Sequence, residues 1–600
     1  MPVLRSDGVT LNFGGSRMMR KRRWRILPQH EQAGELSQRL GVSPIIAQIL
    51  LNRGIEQTDD CRQFMHPSLM AMHDPKLLPN LPKAASRIAQ AIRDRQKIVI
   101  YGDYDVDGIT GTAILWHAIR LMGGEVEYYI PHRVDEGYGL NPQAIAAICD
   151  QGAKLIISVD CGVTAIEPAQ VARERGVDLI ITDHHDWPAD AVLPDAYCIV
   201  HPRLPGDGPA YPNPHLCGAG VAFKLAWGLG QHFAGGNGKV NSELRQLLLN
   251  ATSLAALATI ADVVPLVGEN RILTHFGLMG LKQCSLTGVR ALLESAGLLG
   301  EKVNAYDVGF KLAPRLNACG RMGHAEDAVE LLTRADSARA TEIAAFLELQ
   351  NRERQATEKQ ILEQALEQIV RLGLDKQEHH AIVVGGLGWH AGVIGIVASR
   401  IVDRFGRPAI VVTLDEQTGQ GSGRSVPGFH LANALGAMGD LLEGSGGHEM
   451  AAGLRVRPKN FEAFRDRFME HAKATLPLDL LAPELRLDAE AQLVAIDRPL
   501  VDAFTRLGPF GQGNPRPLLC CCDVELAAAP NVVGKNSDHL QFRVRQNGPL
   551  IKCIAFKRGE MAGQLRKGMR LDLAAEPVLN TFNGYSSVEL DVKDIRVRQG

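Results

Sequence analysis

The stretch Tyr101-Gly-Asp-Tyr-Asp-Val-Asp-Gly108 places three carboxylates at alternate positions directly after a short apolar run, 97–101. Anionic side chains this dense repel one another unless cations fill the space between them. Hard carboxylate oxygens suit Mg2+ or Mn2+ rather than zinc. A calcium EF-hand also opens with D-x-D-x-D-G, but it needs a bidentate glutamate at its twelfth position. Counted from Asp103 that position is Ile114, which excludes the EF-hand and leaves a catalytic metal site as the leading idea.

Two further apolar runs end in residues of ligand type. Positions 155–159 lead into Asp160, and 179–182 lead into Asp183, His184 and His185. In a parallel sheet the carboxyl ends of the strands share one edge, where ligands of open α/β sheets bind. The groups at these three strand ends should therefore meet in one crevice. A lone aspartate in such a place is ordinarily a cap or turn residue; the convergence is what argues for metal. Asp262 lies inside the apolar run Thr259-Ile-Ala-Asp-Val-Val-Pro265. A buried charge needs a partner, and the same metal pair is the best candidate.

The elements that must position these groups are readable from periodicity. Residues 30–96 carry apolar positions at helical spacing. Strands at 97–101, 126–130, 155–159 and 179–182 then alternate with helices at 110–122, 141–150 and 167–175, the pattern of a parallel, doubly wound sheet. Helical character dominates 218–299. Segment 337–372 has hardly a breaker and predicts a long, largely exposed helix acting as a spacer. A second α/β unit follows, with strands at 381–385 and 409–414 around a helix near 393–405, interrupted by glycine-rich loops at 419–423 and 444–447. Past Pro477 short β-rich runs at 519–526, 540–545, 550–556, 570–573 and 587–592 predict a small barrel of OB type, with a sandwich as the alternative.

Size and composition bound the rest. A chain of 600 residues exceeds a single core, which seldom grows past about 250–300 residues. With 45% hydrophobic and 22% charged residues it reads as an ordinary globular protein. No run of 18 apolar residues occurs and the first residues lack a signal-peptide pattern, so a cytoplasmic location is expected. Eleven cysteines without C-x-x-C spacing fit reduced thiols, and Cys520-Cys-Cys522 reads as a buried strand. A net charge of -2 exerts no global pull on nucleic acid, so any polyanion must be met by a local track of cations. The basic run Arg20-Lys-Arg-Arg23 reads as a solvated arm.

Together the motifs match a family. Asp-Tyr-Asp-Val-Asp-Gly108, Val-Asp-Cys-Gly162, Thr-Asp-His-His185 and Ile-Ala-Asp262 resemble the four motifs of the DHH phosphoesterase superfamily. Pro314-Arg-Leu-Asn-Ala-Cys-Gly-Arg-Met322 resembles the signature of its RecJ branch. Gly388-Trp-His-Ala-Gly-Val-Ile-Gly395, Gly421-Ser-Gly-Arg-Ser425 and Gly446-Gly-His448 resemble the DHHA1-type second domain. The β-rich segment falls where that branch carries an OB-fold.

The resemblance implies five regions: an N-terminal extension with a helical segment (1–70), a DHH catalytic domain (71–335), a connecting helix (336–374), a DHHA1 substrate-binding domain (375–475) and an OB-like barrel (476–600). It implies an exonuclease specific for single-stranded DNA, digesting from the 5′ end to nucleoside 5′-monophosphates with two Mg2+ or Mn2+ ions, in recombination and repair. Asp105, Asp107, Asp160, His184, His185 and Asp262 become the metal shell. Catalytic work falls to Asp103, Asp183, His184 and His185, where Asp103 and Asp183 either bind metal or orient other groups. Phosphodiester hydrolysis must stabilise charge on both the attacking and the leaving oxygen, which two ions about 3.5–4 Å apart achieve. Asp160 or Asp107 is the candidate bridge. Gly421–Ser425 offers backbone amides, hydroxyls and a guanidinium as a phosphate cradle, against the alternative of a flexible hairpin loop. Arg133, Arg315, His390, Ser422, Arg424, Ser425 and His448 are the substrate-binding candidates, while Trp389, Phe429 and Tyr138 either stack on bases or pack in a core. A monomer is expected, with single-strand-binding protein and a RecQ-type helicase as implied partners. The competing readings are a DHH phosphodiesterase acting on oligoribonucleotides or cyclic dinucleotides, an inert replication scaffold, and a DNA-binding module without chemistry.

Overall fold

The apolar run Ile98–Gly102 is buried along its whole length, as are Leu155–Val159 and Cys198–Val200. Strands that read as continuous apolar runs require cover on both faces, which crossover helices provide. In the computed structural model these runs form a five-stranded, all-parallel sheet in the spatial order Val126–Tyr129, Ile98–Gly102, Leu155–Val159, Asp178–Thr182, Cys198–Val200. The last strand is absent from the sequence reading because three residues are too few to show a period. The structure describes residues 22–598 apart from 133–135, 189, 206–208, 235–240, 323–324, 377, 478–480, 482–483, 536 and 583.

Two compact units divide the chain. One joins Leu27–Lys359 to Asp488–Gly600, and the other joins the described residues up to Ile26 to Gln360–Leu487. In the first, helices Gly218–Phe233 and Ser242–Ala261 pack on helix Val106–Leu121 behind the sheet. Among the described residues Ser242–Ala261 alone is long and apolar enough to cross a membrane, and most of it is buried in this core.

The same unit contains the C-terminal barrel. Strands Leu519–Leu526, Arg570–Phe582, Tyr585–Val597, Leu550–Ala555 and His539–Arg545 follow one another around it, and Glu525–Leu526 pairs with Val544–Arg545 to close the circle. Closure removes the exposed edges a flat sheet would present. Arg570–Phe582 and Tyr585–Val597 are 13 residues each, far longer than the runs legible in sequence; in the first, the charged residue Glu576 is buried beyond the apolar run. Helices Ala33–Leu40, Pro44–Leu51 and Thr58–Met65 share the barrel's hydrophobic core through Leu36, Ile46 and Ile49. Sequence distance had hidden that link.

Helix Ser337–Arg371 runs for 35 residues, as the absence of breakers predicts. It is less exposed than expected. Its first half buries Ala340, Ile343 and Leu347, and its second buries Ile361, Ala365 and Ile369, each stripe at helical spacing.

The second unit holds a sheet in the order Leu442–Gly447, Ala451–Val456, Gly419–Arg424, Ala409–Leu414, Ile382–Leu387, with only the last pair parallel. Both segments read as glycine-rich loops are therefore strands. Gly419–Arg424 is interior, with ladders to Ala451–Val456 and Ala409–Leu414. Glycine serves close packing here rather than looseness: a Cβ on Gly421 would lie 2.8 Å from Leu454 and 3.1 Å from Val412. Arg23–Ile26 pairs in parallel with Glu484–Leu487, and Arg23 forms an ion pair with Glu484 at 3.0 Å, so the described end of the basic run is a strand.

Candidate metal centre

Helix Val106–Leu121 begins at the strand end because Asp105 caps it, accepting from Asp107 N at 2.8 Å and Gly108 N at 3.3 Å. Asp107, in the first turn, receives the Gly218 and Ala219 amides on its two oxygens, both at 2.6 Å. Those amides open helix Gly218–Phe233, so an anion sits at the positive end of a helix dipole. Asp160 directly follows its strand at φ +65°, a left-handed conformation that costs about 1–2 kcal/mol for an L-residue. A Cβ on Gly218 would come within 2.6–2.8 Å of the Asp160 side chain, which accounts for the glycine.

These groups meet as the strand-end argument requires. His184 Nε2 stands 3.1 Å from Asp160 Oδ1 and 3.6 Å from both Asp107 Oδ2 and Asp262 Oδ2. Among the described residues, three sets of ligand atoms lie within 4.8 Å of one another: Asp160, His184 and His185; Asp107, His184 and Asp262; Asp103, Asp105 and Asp160. Asp160 belongs to two of them and His184 to two. Asp160 Oδ1 and His184 Nε2 are buried and form no hydrogen bond. Buried polar atoms are ordinarily satisfied, and oxygen-rich groups with two imidazoles fit divalent cations.

The electrostatics say the same. Burial, then repulsion from Asp107 and Asp105, drives the Asp160 carboxyl well above the usual carboxylate range. Burial and Asp107 raise Asp105, and burial with Asp107 and Asp105 carries Asp262 up to about 8. Burial lowers His184, which favours the neutral imidazole that ligates metal. Asp183 differs. Burial opposes its charge most strongly, but the hydrogen bond with His185, the His185 and His184 charges and the Val163 amide together hold it down at about 2. Burial also most strongly opposes charge on His185, yet its bond to Asp183 together with the charges of Asp183, Asp262 and Asp107 lifts it to about 9. Both Asp183 oxygens are engaged, Oδ2 by Val163 N at 2.9 Å and Oδ1 by His184 N at 2.7 Å and His185 Nδ1 at 2.8 Å. Asp183 thus holds His185 in place and is not in any of the three ligand sets.

The substrate-binding candidates are dispersed. His390 caps helix Ala391–Phe405, its Nδ1 accepting from Gly392 N at 3.1 Å. Ser422 and Arg424 share one face of their strand, and Arg424 donates to Ser422 Oγ at 3.1 Å and Gly423 O at 2.8 Å. A Cβ on Gly395 would lie 3.0 Å from Ser422 Oγ, so this face meets the start of the helix that His390 caps. Because the strand is interior, its amides serve the ladders and not a backbone cradle for phosphate. Ser425 is buried and donates to Phe429 O at 2.6 Å. His448 is exposed, at the tip of the hairpin after Leu442–Gly447. Arg315 belongs to the other unit and pairs with Glu348 at 2.7 Å. Arg133 lies outside the described residues. Trp389 and Phe429 are core residues; Tyr138 is half exposed and places its hydroxyl 3.0 Å from His185 Nδ1 and 3.2 Å from Asp160 O.

Some contributors escaped the sequence reading. Asn317, inside the Pro314–Met322 motif, accepts from Val106 N at 3.0 Å and so tethers that helix to the metal-binding turn. The Gly218–Ala219 amides that hold Asp107 left one signal, the small-residue run Gly-Ala-Gly220 at a helix start.

Residues 97–252 match the DHH family N-terminal domain, 378–474 the DHHA1 domain and 487–594 the RecJ OB domain. The single-stranded-DNA-specific exonuclease RecJ of Bacillus subtilis (strain 168) is 39% identical over 585 residues, covering 96% of this chain and 71% of that protein. The crystal structure of RecJ in complex with Mn2+ from Thermus thermophilus superposes with a TM-score of 0.81 at 32% identity, over 97% of this chain and 81% of that one. The Mg2+ complex of the same protein gives 0.75 at 31% identity, over 96% and 79% of the two chains. With its metal-competent strand ends, interior glycine strand and closed barrel in place, the chain belongs to the RecJ family of the DHH phosphoesterases.

Proposed function

We propose that this chain hydrolyses single-stranded DNA from its 5′ end, releasing nucleoside 5′-monophosphates in recombination and repair. The observation that carries the reading is the pair Asp160 Oδ1 and His184 Nε2, buried without hydrogen bonds where the ligand sets overlap. Two Mg2+ or Mn2+ ions bound there supply charge stabilisation at the attacking and leaving oxygens. Asp103, Asp105 and Asp160 would hold one ion, and Asp107, His184 and Asp262 the other. Asp183 acts through His185, which holds a proton at the rim of the cluster and faces a non-bridging phosphate oxygen. His390, Ser422 and Arg424 receive the phosphates of the strand end by charge-assisted hydrogen bonds.

We assign catalysis to residues 71–335, substrate-end binding to 375–475 and strand binding to 476–600, whose barrel lies past Asp488. Residues 336–374 connect them, and 1–70 form an N-terminal region whose described helices share the barrel core. A monomer working in the cytoplasm, supplied by a RecQ-type helicase and met by single-strand-binding protein, completes the reading.

Digestion of a single-stranded oligomer labelled at either end, with Mn2+, Mg2+ or EDTA and beside a duplex, tests it. Metal-dependent mononucleotide release from the 5′ label, absent with duplex, is the expected result. Release from the 3′ label would overturn the polarity. Consumption of RNA or a cyclic dinucleotide instead of DNA would move the chain to another branch of the superfamily.

A further inference from the structure

Lys224 and Glu269 form an ion pair whose side chains are both 0% exposed, and no step of the proposed hydrolysis uses either residue. Such a pair is not a stability device, since desolvation commonly cancels its attraction; its best-attested use is to fix register. Its partners show what it registers. Glu269 Oε1 accepts from His73 N at 3.0 Å, Glu269 Oε2 accepts from Tyr211 Oη at 2.6 Å, and Lys224 Nζ donates to His73 O at 2.6 Å.

The two residues sit on the two elements that flank one side of the metal centre. Lys224 lies in helix Gly218–Phe233, whose opening amides hold both oxygens of Asp107. Glu269 lies at the start of helix Gly268–Leu281, one short loop past Asp262. Asn270 adds a second stitch: its Nδ2 donates to Pro265 O in that loop, at 3.1 Å, and to His215 O just before the Asp107-holding amides. Asp107 and Asp262 are the two carboxylates 3.6 Å from His184 Nε2, so one stitched element holds Asp107 through its amides and the other follows Asp262 in the chain.

We infer that Lys224, Glu269 and Asn270 are positioning residues that fix the spacing of Asp107 and Asp262, and thereby the affinity of the ion site these share with His184. The inference rests on the two-ion reading. The Asp103, Asp105 and Asp160 set is built on the strand ends and meets the stitched helix by packing of Asp160 against Gly218, not through a carboxylate that the helix amides hold. Loss of the stitch therefore affects the two ion sites unequally.

The test is calorimetric titration of the metal-free full-length protein with Mn2+, with circular dichroism as the control for folding. Lys224→Met/Glu269→Gln removes both charges together, and Asn270→Ala cuts the second stitch alone. Each should weaken one of two Mn2+ affinities on the order of ten- to a hundredfold, the usual cost of losing groups that orient metal ligands, and leave the other unchanged. Asp262→Asn, which alters the ligand itself, should weaken the same site. Unchanged affinities in a folded variant, or equal weakening of both sites, would overturn the inference. A wild-type protein that binds fewer than two Mn2+ ions would instead overturn the two-ion reading beneath it. If the double variant does not fold, Asn270→Ala decides alone.

Discussion

At the carboxyl edge of the parallel sheet, carboxylates crowd where water is scarce, and Asp160 and His184 keep buried atoms without hydrogen bonds. On the glycine-rich sheet of the second unit, Arg424 already bonds to Ser422 and Gly423 at a half-exposed face. The first arrangement is costly until a cation enters it; the second is satisfied without any ligand. The proposed catalytic centre is therefore marked by crowded, mutually repelling carboxylates and buried atoms without hydrogen bonds, and residue types alone announce the crowding. The proposed phosphate ligands are comfortable when empty, and so leave a weaker trace in both sequence and energetics.

Variants should divide along that line. Asp160→Asn removes the carboxylate common to two ligand sets, and kcat on a 5′-labelled oligomer should fall on the order of a thousandfold, several kcal/mol of barrier. It is a cleaner probe than Asp107→Ala, which would also strip two backbone amides of their acceptor at a further cost of about 1–2 kcal/mol in stability. Arg424→Ala should act on the other side of the comparison. Expected is a rise in KM of about ten- to a hundredfold, with Mn2+ affinity unchanged; a drop in metal binding would break the contrast.

The metal-free protein offers a pH test. Asp262 titrates at about 8, above the ordinary carboxyl value of 3.8, so its protonated form belongs to the folded state. A raised folded pKa gives stability present at low pH and lost as pH climbs, here between about 4 and about 8. Thermal unfolding in EDTA should therefore show Tm falling across that window. Saturating Mn2+ should flatten the slope and raise Tm by a few degrees. Asp183, held down at about 2, has the opposite sign: its stabilisation is present above 3.8 and lost only as pH falls from there toward about 2. The smallest effect is expected for Tyr138→Phe. Losing the hydroxyl that touches His185 and Asp160 O should cost about 1 kcal/mol, roughly fivefold in kcat, with KM for DNA unchanged.

The catalytic half was legible because its signals are local: apolar runs, the acids that end them, and the single-edge rule for parallel sheets. The glycine-rich segments misled because glycine reads as a loop by propensity, whereas Gly421 is small to let Leu454 and Val412 close over a strand. The strand Arg570–Phe582 was cut short for a related reason, since buried Glu576 looks like a turn residue until its partner Arg516 is in view. Ser425 looked like a phosphate ligand from its neighbours in sequence, yet its side chain turns inward to Phe429 O.

What the sequence determined by itself was the chemistry: which side chains could bind a hard divalent ion, on which strands they end, and that an EF-hand is excluded. Only the tertiary structure decided how those groups are held. The amides of Gly218 and Ala219 lie more than a hundred residues from Asp107, Asn317 still farther from Val106, and Lys224 meets Glu269 from a different helix. Ligand identity is a property of residue type and local order, whereas ligand orientation depends on backbone groups that every residue carries and no sequence pattern distinguishes.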